Sequence, residues 1–286
     1  MAHRSAIDGG GPELSNRPLS YRYKPNHRVS VPVFLRLRLT AFAHGLADLG
    51  VRPVPDGDSF GFVCGCGHSG TTLLASKLGL HPDVLLISRE SNLFLPERGL
   101  RLARVIAEEW LAFARQEDRR VVLEKSPKHV HCIDRIRRLL PGARVIVMVR
   151  NPLDTCASLY RRFNDLDLAV ERWRMDNEAA LAALAGDATL LVRYEDLTRD
   201  PAATLAAACT FLGLEWDPEL LTRSGSAYGT HPGLRRNMAL RHEQVSQPIH
   251  DNNGRWRETL DPRQASIVRE RTAELATRLG YSSEAA

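Results

Sequence analysis

The chain has 286 residues, 43% of them hydrophobic and 26% charged, a balance that suits a globular protein with a sizeable core and excludes wholesale disorder. Lys and Arg total 39 against 34 acidic residues, a net charge of +5, but no basic block is interleaved with stacking aromatics, so an anionic small ligand is permitted and no nucleic-acid partner is expected. No apolar run approaches the roughly 18 residues a bilayer crossing needs, and the first residues lack the pattern of an export signal; no integral membrane insertion and a cytoplasmic setting are expected.

Residues 1 to about 30 are rich in Gly, Pro, Ser, Asn and Arg and read as a loose arm. From Val31 to Leu49, Phe34, Leu35, Leu39, Phe42, Leu46 and Leu49 recur at near-helical spacing, with Arg36, Arg38 and His44 among them. This predicts a basic amphipathic helix packed on the core, with a helix lying on a membrane surface or covering an acceptor site as the alternatives. Residues 50–58 hold two prolines and read as a turn. Beyond it strand and helix patterns alternate. Strands are expected at Ser59–Cys64, Val84–Ser88, Arg120–Leu123, Ala143–Val149 and Thr189–Arg193. Helices are expected at Thr71–Leu80, at Glu97–Arg115 with Leu100, Val105, Trp110, Leu111 and Ala114 as its stripe, around Val130–Leu140, and at Leu166–Leu184. Two more run from Asp200-Pro201, a good cap and first-turn pair, to about Leu212, and from near Pro262 to near Gly280. The ARVIVMV run suits a strand buried on both faces. The pattern predicts an α/β fold with a P-loop-like central parallel sheet flanked by helices. Residues 1–58 would form the arm and basic helix, and 59–286 a single domain. Cys64, Cys66, Cys132, Cys156 and Cys209 form no CxxC pair, so buried reduced thiols are expected and no metal site.

The segment Gly65-Cys66-Gly67-His68-Ser69-Gly70-Thr71-Thr72 joins a strand to a helix. Glycines allow close backbone approach, and the helix start offers N–H groups and a positive dipole end. A nucleotide triphosphatase loop would read GxxxxGK[ST]. Gly65 and Gly70 have that spacing, but Thr71 stands where the lysine would be. The buried strand VIVMV ends in Arg150 and not in a magnesium-holding Asp. Ligands of open α/β sheets bind at the carboxyl ends of strands, so the loop and Arg150 are expected in one cleft that selects negative charge.

These residues resemble a known family. GCGHSGTTLL is similar to the 5′-phosphosulfate loop of sulfotransferases that use 3′-phosphoadenosine 5′-phosphosulfate (PAPS). VRNPLDTCAS is similar to their 3′-phosphate segment, with Arg150 and Ser158 eight positions apart, and LLVRYEDLTRDP with FLGLEW to a further segment. The resemblance covers roughly Phe60 to Trp256 and is nearest the branch of protein-tyrosine and bacterial sulfotransferases.

It implies PAPS as donor, without a metal, held by Gly67, His68, Ser69, Gly70, Thr71, Thr72, Arg150 and Ser158. Tyr194, Arg255, Trp256 and Arg257 are further candidates for the nucleotide, with core packing the equal alternative for Tyr194 and Trp256. Glu90 in SRESNLF falls where that branch carries its catalytic Glu. Lys125 in LEKSPKH falls where a lysine meets the transferring group, with Lys128 and His129 as weaker substitutes. His68 stands where the branch usually has Arg or Lys, so it is either a cation on the donor or the base itself. His231 to Gln247, with little periodicity, reads as a lid.

The expected reaction is sulfuryl transfer to a small-molecule acceptor, with a hydroxyl as the expected site. The alternatives are an ATP-dependent kinase, opposed by the missing lysine, and a non-catalytic nucleotide-binding module, kept open by His68. Phenol, sugar, lipid and peptide acceptors are all compatible with one donor site, and the oligomeric state is left open.

Overall fold

The computed structural model describes residues 31–186, 188–223, 249 and 251–281. Strands β1 (Phe60–Gly65), β2 (Val84–Leu86), β3 (Val121–Lys125), β4 (Arg144–Val149) and β5 (Thr189–Arg193) pair in parallel in the order β2-β3-β1-β4-β5. Around them lie α1 (Val31–Ala47), α2 (Thr71–Leu78), α3 (Leu100–Gln116), α4 (Ile133–Leu139), α5 (Pro152–Phe163), α6 (Leu166–Leu184), α7 (Tyr194–Arg199), α8 (Pro201–Phe211) and α9 (Pro262–Arg278).

Alternation along the strands builds two cores. Phe60, Phe62, Val145 and Val147 face one cluster with α3, α5, α6 and α9, where Trp173 is fully buried. Val63, Ile146 and Met148 face the other, with Leu74 and Leu78 of α2 and Leu205 and Ala208 of α8. Covering both faces explains the continuous apolar runs of β1 and β4. Helix starts follow their caps. Asn151 accepts from the Asp154 amide, Asp165 from that of Leu168 and Asp200 from that of Ala203, and Asp261 forms a reciprocal box with Gln264.

β1 lies between β3 and β4; the chain leaves β1 toward the β2 edge and leaves β4 toward β5, so these neighbouring strands send their connections in opposite directions. A crevice opens at the carboxyl ends at such a switch point. The loop after β1, Lys125 at the end of β3, Arg150 just after β4 and Tyr194 just after β5 all gather there.

Several expectations change. The later part of the apolar stripe expected from Val31 to Leu49 is not packed on the core: Leu39, Phe42, Leu46 and, just past α1, Leu49 are 58–74% exposed. What ties this region down is polar. Asp48, buried just after α1, accepts from the Leu100 amide at 2.6 Å and lies 3.2 Å from Arg135 Nη2. Val105 faces solvent, because the buried line of α3 runs through Leu100, Ala103, Ala107, Leu111 and Ala114. The helix expected around Val130–Leu140 is a 3-10 turn over Pro127–His131 followed by α4. β2 stops at Leu86, although the Ile87 amide still donates to Leu123 O at 2.8 Å. The arm before Val31 and the expected lid, His231 to Gln247, lie outside the described residues. No helix among the described residues is long and apolar enough to cross a membrane.

Candidate functional site

The loop after β1 is clamped from within. Ser69 is fully buried and its hydroxyl donates to Cys66 O at 2.5 Å and to Met148 O at 3.1 Å. This side chain fixes the loop against β4. Gly70 has φ +90°, and a Cβ there would stand 2.5 Å from Tyr194 Cδ2, so neither the backbone nor the space admits a side chain. Thr71 and Thr72 open α2, whose first N–H groups have no partner within the helix. His68 also has positive φ, 72°, and its Nδ1 lies 2.9 Å from Ser158 Oγ on α5. Two candidate donor ligands therefore bond to each other.

Parallel pairing of β4 with β5 matches Val149 to Arg193, which sets Arg150 beside Tyr194. The guanidinium lies 4.1 Å from the centroid of the Tyr194 ring, a cation–π distance. Arg150 Nη2 donates to Asn252 O at 2.7 Å and lies 3.9 Å from Asp154 Oδ2. Its buried Nε has no hydrogen-bond partner among the described residues. Asp154 also accepts from the amides of Gly254 at 2.9 Å and Trp256 at 3.0 Å, so the Asn252–Arg257 turn is tied to the start of α5. Within that turn Arg255 pairs with Glu258 and Arg257 lies over the Trp256 ring, as does Arg269 from α9. The ring packs against the larger core, the structural alternative expected for it.

Glu90 and Lys125, distant in sequence, meet. Lys125 Nζ donates to Glu90 Oε1 at 2.7 Å. The lysine is 2% exposed and the carboxylate 32%, so Lys125 is far from an ordinary surface lysine and the pair opens to solvent on the Glu90 side. A second, wholly buried carboxylate fixes this geometry. Glu124 Oε1 accepts from the Ser91 amide at 3.0 Å, the Ser91 hydroxyl at 2.8 Å and the Ser126 hydroxyl at 2.6 Å. Its Oε2 lies 3.0 Å from His129 Nδ1. The Phe94 amide donates to His129 Nε2 at 3.2 Å, which assigns the ring proton to Nδ1. Burial alone would push the Glu124 carboxyl up, but the His129 imidazole and the Ser126 and Ser91 donors outweigh it and hold it below the usual carboxylate range. His129, a suggested substitute for Lys125, thus serves this buried network.

The five cysteines are free and buried. Burial pushes the thiols up, Cys209 to about 11 and Cys132 to about 12, which suits inert packing groups. Four residues that the motifs did not single out matter for the geometry. Glu124, Asp154, Arg172 and Asp176 are charged side chains on a strand or helix, and in a linear pattern each reads as an ordinary polar position. Asp154 alone left a sign, three residues after Asn151 at a helix start.

A sequence model described as "Sulfotransferase family" matches residues 95–218, a span that holds Lys125, Arg150, Ser158 and Tyr194. The fold is that of solved sulfotransferase domains. A sulfotransferase domain from the olefin synthase of Synechococcus PCC 7002 is 24% identical with a TM-score of 0.52, covering 82% of this chain and 97% of its own. A sulfotransferase domain from the curacin biosynthetic pathway is 19% identical with a TM-score of 0.51, covering 78% and 97%. A mouse sulfotransferase complexed with PAP is 14% identical with a TM-score of 0.51, covering 83% and 91%. The family match and the fold agree, and by both the chain is sulfotransferase-like, as its motifs imply.

Proposed function

We propose that the protein transfers a sulfuryl group from PAPS to a hydroxyl of a small-molecule acceptor. The observation that carries this reading is the 2.7 Å Lys125–Glu90 pair at the strand ends that bear the glycine loop and Arg150, in a loop without a Walker lysine. The donor fits the residues present. Its 5′ anion would meet the first N–H groups of α2 and the loop from Gly67 to Thr72, and the unpartnered Nε of Arg150 is a donor for a 3′-phosphate. When bound, PAPS supplies an activated sulfuryl group on a phosphate leaving group. Glu90 would accept the proton of the attacking hydroxyl, and Lys125, 2.7 Å from it, would meet the negative charge that grows on the leaving side. His68, held by Ser158, contributes a ring donor to the loop anion. A domain running from residue 59 onward, with the N-terminal helix as an addition, is the organisation that goes with this reading.

The reading is tested by calorimetry. Adenosine 3′,5′-bisphosphate should bind more tightly than ATP or AMP, and without magnesium. Arg150→Ala should weaken the bisphosphate more than adenosine 5′-monophosphate. Preference for ATP with magnesium would overturn the donor assignment. Turnover is then sought by mass spectrometry, as gain of sulfate on a panel of hydroxyl acceptors.

A further inference from the structure

The loop Gly65–Thr72 contains no lysine or arginine, and His68 carries a charge only when protonated. A fixed charge reaches the loop from another element. Arg172 lies on α6, and its Nη2 would stand 2.9 Å from a Cβ built on Gly67, with Cζ at 3.6 Å. The guanidinium therefore fills the space that a side chain at position 67 would occupy, against the loop backbone.

That placement is held from behind. Arg172 Nε lies 3.5 Å from Asp176 Oδ2, one helical turn on. Asp176 is 1% exposed, and its Oδ1 lies 2.7 Å from Nε2 of His131, in the turn that follows the Lys125 strand. Asp176 also faces Cys66, whose thiol is pushed well up by burial first and by Asp176 next, with Arg172 acting in the opposite sense. A buried carboxylate under an anion site repels the ligand unless cations screen it. Arg172 supplies that charge: its Nε edge faces Asp176 while its Nη2 edge is turned to the loop, and His131 bonds the other carboxylate oxygen.

We propose that Arg172, positioned by Asp176 and His131, is a donor-binding residue that supplies the permanent positive charge for the 5′ anion on the Gly67–Thr72 loop. This rests on the donor reading above. Arginine keeps its charge at every working pH, so the loop stays cationic where His68 is neutral.

The test uses the full chain and two probes, adenosine 3′,5′-bisphosphate and adenosine 3′-monophosphate, titrated by calorimetry; the ratio of their affinities reads the 5′-phosphate. The wild type should favour the bisphosphate. If it binds neither probe, or both equally, the donor reading itself falls and this inference with it. Given wild-type preference, Arg172→Gln should weaken the bisphosphate by about 10- to 100-fold, the scale of a charge-assisted contact, and leave the 3′-monophosphate within about twofold. Adding His68→Arg should restore most of the lost preference. Arg172→Met, which keeps the apolar stem and removes the charge, should lower the ratio in the same direction, and it carries the test if Arg172→Gln does not fold. An unchanged ratio in either variant, or equal weakening of both probes, would overturn the assignment of Arg172.

Discussion

Replacing Glu124 by Gln tests whether a buried carboxylate holds the Glu90 loop against β3. The amide keeps the size of the side chain but not its acceptors. Glu124 Oε1 takes three donors, from the Ser91 amide, the Ser91 hydroxyl and the Ser126 hydroxyl, and Oε2 faces the protonated Nδ1 of His129. A glutamine oxygen can serve one side only. With its oxygen toward the serines, its NH2 meets the His129 N–H donor to donor; flipped, it leaves the three donors without their acceptor. Loss of charge-assisted bonds costs about 1.5 to 3 kcal/mol, and one unsatisfied buried group costs about 1 to 3 kcal/mol. A net loss of about 3 kcal/mol is expected, within the range below full rupture of a buried pair. For a domain of this size that lowers Tm by about 6 to 12 °C. The pH dependence has a definite sign. The folded Glu124 carboxyl sits below its ordinary value. Its contribution is therefore fully present above the unfolded value of about 4.3, and is lost as pH falls through the lower folded value. Urea melts of the two proteins should differ by a constant amount between about pH 6 and 8, and the difference should narrow progressively as pH falls below about 4. A difference at neutral pH of less than about 1 kcal/mol, or one that persists undiminished in acid, would mean that the Glu124 carboxylate does not hold this loop.

Three further outcomes follow from the geometry. Glu90→Gln should lower turnover by about two to four orders of magnitude with bisphosphate affinity little changed, whereas an active Glu90→Gln enzyme with a dead His68→Arg enzyme would make His68 the base. Gly70→Ala, forced to φ +90° and against Tyr194, should cost about 2 kcal/mol, seen as a Tm drop of about 4 to 8 °C and weaker bisphosphate binding. Phe42→Ser with Leu46→Ser should leave the thermal melt within about 2 °C, because both side chains are more than half exposed; a large drop would mean that α1 is packed after all.

Local signals carried far in this protein. The Thr189–Arg193 strand and the Leu166–Leu184 helix match the structure at both ends, because periodicity, β-branched runs and caps act within a few residues. The ARVIVMV run reported burial on both faces, and the glycine loop and Arg150 reported positions at strand ends, since each feature depends on the chemistry of one short segment. The stripe of α1 was legible as a helix but not as an exposed one, because exposure depends on whether another element is there to cover it. The same limit applies at the site. No spacing rule brings Glu90 to Lys125, Tyr194 to Arg150, or Arg172 to Gly67: these contacts depend on strand order, on the parallel register of β4 with β5, and on how α6 packs beside the loop. Nor does composition reveal that Glu124 is fully buried, since a carboxylate can enter a core only where tertiary structure collects enough donors to replace its water.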